Sequence, residues 1–294
     1  MTKTALHFDQ SLPAVYGVAE RLSPRIERLL ARNPSPFTFR GTGVYLVGDR
    51  EKVAVIDPGP NEPGHVAALL AAIGGRTVTH ILVTHTHRDH SPAAAPLKLA
   101  TGAKTYAFGP HARYQDDVEE GGDREFAPDI AVRDGDEIAG PGCTLRCVFT
   151  PGHTSNHMCF ALEEEKALFT GDHVMGWSTT VVAPPDGDMG DYMRSLERLI
   201  ARRDEILYPT HGSPIVRPAS FLRAYLSHRR MRESQIARAL QRGRDTVPAL
   251  VETLYAGLSP TLARAAALTV EAHLKHMIGD GRVRVLADGR YLRN

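Results

Sequence analysis

Thr-His-Thr-His-Arg-Asp-His, at residues 84–90, is the stretch of this chain that decides its fold. It places three histidines and one carboxylate directly after an apolar run at residues 78–83. A short apolar run of this kind is typical of a buried strand, and the loops at strand ends commonly carry chemistry. Neutral imidazoles and carboxylates are ligands that zinc prefers. The pattern therefore predicts a metal site at the end of a strand.

The spacing within this stretch indicates two metal ions rather than one. His85 and His87 are two positions apart and can face the same way from an extended backbone. Asp89 and His90 follow where the chain bends, so they can face a second ion. Each zinc ion needs about four ligands, so this interpretation requires further ligands downstream.

Three later motifs supply them, each with an apolar run followed by a turn and a ligand. We interpret His153, in Thr-Pro-Gly-His-Thr at residues 150–154, as completing the set of His85 and His87. Asp172 ends the apolar run at residues 167–171 and is expected to bridge the two ions. His211 would close the second set with Asp89 and His90. Taken singly, each is more often a turn residue, but the fourfold recurrence favours the metal site.

In this order the motifs resemble those of the metallo-β-lactamase-fold hydrolases, over about residues 41–214. The resemblance implies an α/β fold, a four-layer αββα sandwich with the ligand loops along one edge. With this ligand set, two zinc ions would hold a bridging hydroxide as the nucleophile. Asp89 is the expected catalytic residue, because it would bind a metal ion, orient the hydroxide and accept its proton.

Three further residues lie close in sequence to the ligands or their strands. Asp57 ends the apolar run at residues 53–56 and is expected either behind the ligands or at a simple turn. His157 and His173 follow His153 and Asp172, and either can contact substrate or be a structural histidine bonded to backbone. Trp177 is expected in a pocket wall or in the core.

Helical patterns alternate with these strands at residues 65–73, 93–101 and 191–203, as an α/β domain requires. Ser91 and Pro92 form a favourable cap and first-turn pair, so a helix is expected to start there.

The composition, with 42% hydrophobic and 23% charged residues among 294, is typical of a globular chain with one large and one smaller domain. The N-terminus lacks a signal-peptide pattern, and no run approaches the roughly 20 apolar residues that span a bilayer. We therefore expect a cytoplasmic protein with no membrane partner. Its three cysteines fall in β-rich runs and are expected to be buried free thiols: Cys143, Cys147 and Cys159.

The net charge of +1 conceals an asymmetry that indicates two domains, 1–217 and 218–294. The first holds 22 Lys+Arg against 28 Asp+Glu, and the second holds 13 against 6. Helical patterns and a final hairpin with an Asp-Gly turn follow one another in the second, at residues 221–242, 247–256, 260–277 and 282–293. This order predicts a winged helix.

The core followed by this basic segment, which opens with residues 225–236, resembles the branch of the superfamily called beta-lactamase-like protein two. Members of that branch include a single-stranded-RNA endoribonuclease, and relatives act as thioesterases. Substrates implied are therefore an acyl thioester, ester or lactone, or RNA. The acidic core favours the first class and the basic tail favours the second. A winged helix also serves as a packing or dimerisation module, so the sequence also allows a homodimer.

Three other classes compete with the hydrolase. A mononuclear iron persulfide dioxygenase shares much of the ligand pattern, and metal content and oxygen dependence would have to exclude it. A diiron flavoprotein relative has glutamate where His87 stands. A non-catalytic nucleic-acid-binding protein is disfavoured by the seven intact ligands.

Overall fold

The computed structural model describes residues 6–112 and 121–294, which form two large sheets, six helices and a small C-terminal hairpin. The strands of the first sheet are neighbours in chain order: β1 (Ala19–Arg21), β2 (Ile26–Leu30), β3 (Gly43–Gly48), β4 (Lys52–Ile56), β5 (Thr77–Leu82), β6 (Lys104–Ala107) and β7 (Ile130–Ala131). The strands of the second sheet are also neighbours in chain order: β8 (Glu137–Ala139), β9 (Thr144–Phe149), β10 (Met158–Leu162), β11 (Ala167–Gly171), β12 (Ile206–Pro209) and β13 (Ile215–Val216).

The helices and the hairpin complete the chain. They are α1 (Pro63–Ile73), α2 (Ala94–Thr101), α3 (Met189–Ala201), α4 (Ala219–Gln241), α5 (Val247–Leu254), α6 (Pro260–Gly279), β14 (Val283–Val285) and β15 (Tyr291–Arg293).

Three apolar cores stack the sheets and helices in four layers. Tyr45 and Phe160 belong to the core between the two sheets. Leu69 of α1 packs in the core on the outer face of the first sheet, and Leu196 of α3 packs in the core on the outer face of the second. The predicted αββα sandwich is confirmed, because each sheet buries one face against the other and one against helices.

Parallel pairing brings the ligand-bearing loops to one edge of the sandwich. In the first sheet β5 lies parallel to both β4 and β6, so the loops after β4 and β5 leave at the same edge. In the second sheet β11 and β12 are parallel and also end together. The carboxyl ends of these four strands deliver Asp57, the first histidine cluster, Asp172 and His211.

The expected cap at Ser91 is wrong. The helix begins at Ala94 and has Ala93 as its N-cap, without a side-chain cap bond. The Ser91 hydroxyl instead donates to Asp123 Oδ2 at 2.7 Å. Because the helix begins at Ala94, Ser91 lies two positions before the N-cap, and its hydroxyl is held by a distant carboxylate that the local sequence does not reveal.

The C-terminal helices and hairpin occur in the predicted order, but α4 belongs to two cores. Leu222 and Tyr225 pack with the second sheet and α3, while Ile236 and Leu240 pack with α5, α6 and β14. The division of the chain after residue 217 therefore stays a prediction. The three cysteines are buried and unpaired, as expected. Among the described helices, none combines the length and the apolar character needed to cross a bilayer.

Candidate metal centre

The seven predicted ligand residues lie together at the shared strand edge. The loop after β5 carries four of them, the turn between β9 and β10 carries one, and the ends of β11 and β12 carry one each. They are His85, His87, Asp89, His90, His153, Asp172 and His211.

The first group consists of His85, His87 and His153, whose ligand atoms all lie within 4.8 Å of one another. His87 Nδ1 lies 2.9 Å from His85 Nε2 and 3.1 Å from His153 Nε2. A tetrahedral zinc ion with Zn–N bonds of about 2.1 Å separates its nitrogens by about 3.4 Å. Both separations are within about 0.5 Å of that value, so the three nitrogens lie close enough together to share one cation.

The second group consists of Asp89, His90 and His211. Asp89 Oδ2 lies 3.1 Å from His211 Nε2 and 3.3 Å from His90 Nε2. Thr42 Oγ1 donates a hydrogen bond of 3.0 Å to the same oxygen and so fixes the carboxylate.

Asp172 lies between the two groups and offers one oxygen to each. Its Oδ1 is 3.3 Å from His211 Nε2 and 3.5 Å from His90 Nε2. Its Oδ2 is 3.8 Å from His153 Nε2. This is the arrangement expected of a carboxylate that bridges two cations.

Unpaired buried atoms support the fit of metal ions to this donor set. His90 Nε2 and Asp172 Oδ1 are inaccessible to solvent and have no hydrogen-bond partner among the described residues. An unsatisfied buried polar atom of this kind costs about 1–3 kcal/mol. Both atoms point into the cluster, where a bound cation would satisfy them.

Asp57 holds the histidines from behind. Its carboxylate is fully buried and accepts hydrogen bonds from His90 Nδ1 at 2.9 Å and from Thr210 Oγ1 at 3.0 Å. It also accepts from the Thr84 backbone at 2.7 Å and from Thr84 Oγ1 at 2.8 Å. Thr84 Oγ1 lies 3.1 Å from His85 Nδ1 and accepts a hydrogen bond from it. Both imidazoles are therefore oriented with Nε2 toward the cluster, the nitrogen that would bind a metal ion.

Backbone carbonyls orient two other histidines in the same way. His153 Nδ1 donates to Val181 O at 2.7 Å, and His211 Nδ1 donates to Gly41 O at 3.2 Å. In each ring Nε2 is the nitrogen that faces the cluster, where a bound cation would take the place of its proton.

The electrostatics divide the site into a carboxylate half and an imidazole half. Burial lowers the pKa of His211, but Asp172 and Asp89 outweigh it and raise the pKa to about 10. Against the same effect of burial, Asp89 and Asp172 raise the pKa of His90 well above its ordinary value. In the other half burial and His153 lower the pKa of His87 to about 3. Its ring stays neutral, as a metal ligand must.

His157 and His173 are fully buried and do not line the cavity over the ligands. His157 Nδ1 lies 2.8 Å from Thr150 Oγ1, while the His173 ring contacts Tyr192 at 4.7 Å between centroids. The geometry does not favour substrate contact for either residue, but the expected bond to backbone is not observed: the partner of His157 Nδ1 is a hydroxyl, and neither ring nitrogen of His173 has a hydrogen-bond partner among the described residues.

Sequence reasoning missed a network from α4 that holds the Asp172 loop. Thr180 Oγ1 donates to Asp172 O at 2.7 Å, and Thr180 N donates to Tyr225 OH at 2.7 Å. Arg229 donates to the Thr180 carbonyl. A helix 45 residues further along the chain leaves no local signal of this contact.

A cavity of about 310 Å³ opens onto the ligands. Away from the predicted ligands its walls are mainly apolar and come from separate parts of the chain: Phe37, Met175, Trp177, Val181 and Leu262. Leu262 belongs to α6 in the C-terminal segment. Trp177 lies in this wall and stacks on Phe39 at 4.9 Å between ring centroids, so the pocket alternative for Trp177 is the one observed. The cavity joins apolar walls to a polar metal-binding end.

Residues 38–211 match the family model described as Metallo-beta-lactamase superfamily, and residues 246–290 match the Beta-lactamase associated winged helix domain. The chain is 33% identical over 274 residues to an atrochrysone carboxyl ACP thioesterase of Claviceps purpurea, covering 90% of this chain and 83% of the relative. It is 34% identical over 268 residues to the Beta-lactamase-like protein 2 homolog of Caenorhabditis elegans, covering 90% and 88%. A crystal structure of a metallo-beta-lactamase family protein from Thermus thermophilus superposes with a TM-score of 0.75 at 26% identity, covering 93% of this chain and 100% of that one.

Proposed function

The chain belongs to the metallo-beta-lactamase superfamily and is a hydrolase of that fold, and we propose that it uses two zinc ions to cleave acyl thioesters. The observation that carries the thioester proposal is the cavity, whose apolar walls lead directly to the ligand cluster. An acyl chain would bury its methylene groups against Met175, Val181 and Leu262, which stabilises it in proportion to the area buried.

In this proposal His85, His87 and His153 would hold one ion and Asp89, His90 and His211 would hold the other, with an Asp172 oxygen beside each group. The bound pair supplies Lewis acidity and lowers the pKa of water toward neutrality. Asp89 is the proposed catalytic residue because it lines the cavity and Thr42 and His211 fix its Oδ2. It orients the attacking water and takes up its proton.

Atoms and charges balance in the proposed hydrolysis. The water oxygen forms a bond to the acyl carbon, the carbon–sulfur bond breaks, and the thiolate receives the proton that Asp89 took up. The products are a carboxylic acid and a free thiol, and the chain needs no serine or cysteine nucleophile. The buried cysteines agree with this, because burial raises the pKa of Cys147 to about 12 and keeps it a thiol.

A relative's name also supports a thioester, since the Claviceps purpurea protein is named a carboxyl ACP thioesterase. Transfer of that substrate class to this chain is part of the proposal.

Single-stranded RNA is the second candidate substrate, and a basic groove between α4 and α5 favours it. Arg232, Arg238, Arg242 and Arg244 line a groove of about 710 Å³. Such a surface attracts phosphates at low salt. The groove does not contain the metal ligands, so it can bind RNA without cutting it.

The test compares both substrates on the same zinc-loaded protein, with elemental analysis of each preparation. We expect about two zinc ions per chain, cleavage of a decanoyl N-acetylcysteamine thioester, and loss of cleavage on chelation with recovery on adding zinc. His87→Ala removes a ligand, and His80→Ala is the matched control, because His80 lies on β5 outside the cluster. Iron with oxygen consumption, or RNA cleavage without thioester cleavage, would contradict the proposal.

A further inference from the structure

Arg88 lies between two predicted ligands and lines the same cavity as His87 and Asp89. Of the described residues that line this cavity, it is the one lysine or arginine. The side chain is exposed, and its guanidinium makes no hydrogen bond or ion pair with residues 6–112 or 121–294. A cation without a partner among the described residues is available to a ligand.

The position of the Arg88 side chain is set by the segment beside it. His87 pairs with Gly122 in an isolated antiparallel bridge, and Asp123 N donates to Thr86 O at 2.6 Å. This pairing places Gly121 under Arg88. A Cβ on Gly121 would lie 2.9 Å from Arg88 Nε and 3.0 Å from Cζ. The missing side chain therefore leaves the space that the guanidinium group occupies.

We propose that Arg88 is a specificity-determining residue that binds a carboxylate on the substrate, a few bonds from the thioester. This inference rests on the proposed function. A guanidinium group binds a carboxylate through two parallel hydrogen bonds, which fixes orientation as well as charge. The cavity is at the small end for ligand sites, at about 310 Å³. A group that reaches both Arg88 and the ligand cluster is therefore close to the scissile carbon.

The walls of the cavity give the remainder of the substrate a complementary character. The apolar surface comes from Trp177, Met175 and Leu262. Arg88, which lies between His87 and Asp89 in the chain, adds one positive charge. A substrate with an apolar portion and one carboxylate matches both surfaces. That carboxylate can belong to the acyl part or to the thiol part, and the two sources are separated by experiment.

The test uses two pairs of thioesters of equal shape that differ in one charge. In the first pair the thiol is 3-mercaptopropionate or 3-mercaptopropionamide, with a decanoyl group on each. In the second pair the acyl group is glutaryl or its amide glutaramyl, with N-acetylcysteamine on each. One of the two pairs places its carboxylate on the part of the substrate that Arg88 contacts. For that pair, kcat/KM of the acid is expected to exceed that of the amide by about tenfold or more, as one charge-assisted contact provides.

Variants then assign the preference to Arg88. Arg88→Gln should bring the acid-to-amide ratio close to one, and Arg88→Lys should retain part of it. Gly121→Ala displaces the guanidinium without removing the charge and should give an intermediate ratio. Arg203→Gln is the matched control, because this exposed arginine precedes β12, at the opposite end of that strand from His211, and should keep the ratio of the wild type. Zinc content is measured for every variant. If Arg88→Gln loses zinc, the acid-to-amide ratio of Gly121→Ala is used to test the proposal instead.

The outcomes separate this inference from the proposed function. If the wild type cleaves acid and amide equally in both pairs at low salt, Arg88 has no such role, although the thioesterase proposal stands. Equal losses on acid and amide in zinc-replete Arg88→Gln would also overturn it. If none of the four thioesters is cleaved, both proposals are wrong.

Discussion

His90 donates a hydrogen bond of 2.9 Å from Nδ1 to Asp57 Oδ2, and this one contact fixes which nitrogen of His90 faces the candidate metal centre. The same carboxylate reaches His85 through Thr84, so one buried side chain orients a histidine in each ligand group. Asp57 thus supports both predicted metal sites from the side of the rings that faces away from the cluster.

Asp57→Asn should weaken metal binding more than it weakens the fold. The amide can turn a donor toward His90 Nδ1, which favours the tautomer that protonates Nε2 and blocks it as a ligand. We expect a loss of about 10- to 100-fold in zinc affinity, as outer partners of metal ligands typically give. Competition with a chromophoric chelator measures it. Unchanged affinity in a folded variant would show that Asp57 is only a turn residue.

Asp172→Asn should abolish thioester cleavage and leave the fold largely intact. Its oxygens face opposite ligand groups, so loss of the negative charge weakens both. We expect a fall of at least about 10²-fold in kcat/KM, and lower zinc stoichiometry by elemental analysis. Asp186→Asn is the control, since that carboxylate contacts Ser155 N at 3.2 Å, outside the ligand set. Full turnover by Asp172→Asn would refute the bridging assignment.

Tyr225→Phe should destabilise the chain and lower zinc affinity together. The Tyr225 hydroxyl accepts from Thr180 N and donates to Ser178 O at 3.0 Å, and Thr180 in turn holds the Asp172 carbonyl. Leaving the buried amide unpaired costs about 1–3 kcal/mol of unfolding free energy in urea. Tyr16→Phe removes an exposed hydroxyl and should cost under about 0.5 kcal/mol. Equal effects of the two changes would contradict the network.

Glu233 should make the C-terminal segment sensitive to acid. It is buried, and its oxygens lie 2.7 Å from both His276 Nδ1 and Arg282 Nη1. Burial opposes ionisation, but hydrogen bonds with His273, His276 and Arg282 lower the pKa of Glu233 well below its ordinary 4.5. As the pH falls, the Glu233 carboxylate therefore stays ionised in the folded state at pH values at which the unfolded chain has already taken up a proton.

The resulting stabilisation is complete above about pH 5 and is lost as the pH falls below 4.5 toward the folded pKa. Thermal unfolding of the wild type and Glu233→Gln from pH 7 to pH 3 measures this. The difference in Tm should be constant near neutrality and shrink in acid. A difference that is independent of pH would exclude the ionised Glu233 cluster.

The sequence alone was enough to predict the fold class and to select the seven residues that the structure brings together. Strands and turns are local, and each ligand follows an apolar run, so the order of the motifs indicated a strand edge. The helix and strand bounds were mostly close, for example residues 65–73 against Pro63–Ile73 for α1. The Ser91 cap failed because the helix begins later, at Ala94, and the Ser91 hydroxyl instead contacts Asp123, 32 residues away.

Only the tertiary structure decided how these residues act on one another. The partition of the Asp172 oxygens, the link from Asp57 through Thr84 to His85, and the hold of α4 on the Asp172 loop all join distant parts of the chain. Residue type and spacing identify which atoms can bind a cation, because that chemistry belongs to each side chain. Which lone pair faces which neighbour depends on how the two sheets and α4 pack, and the packing is set by the whole chain.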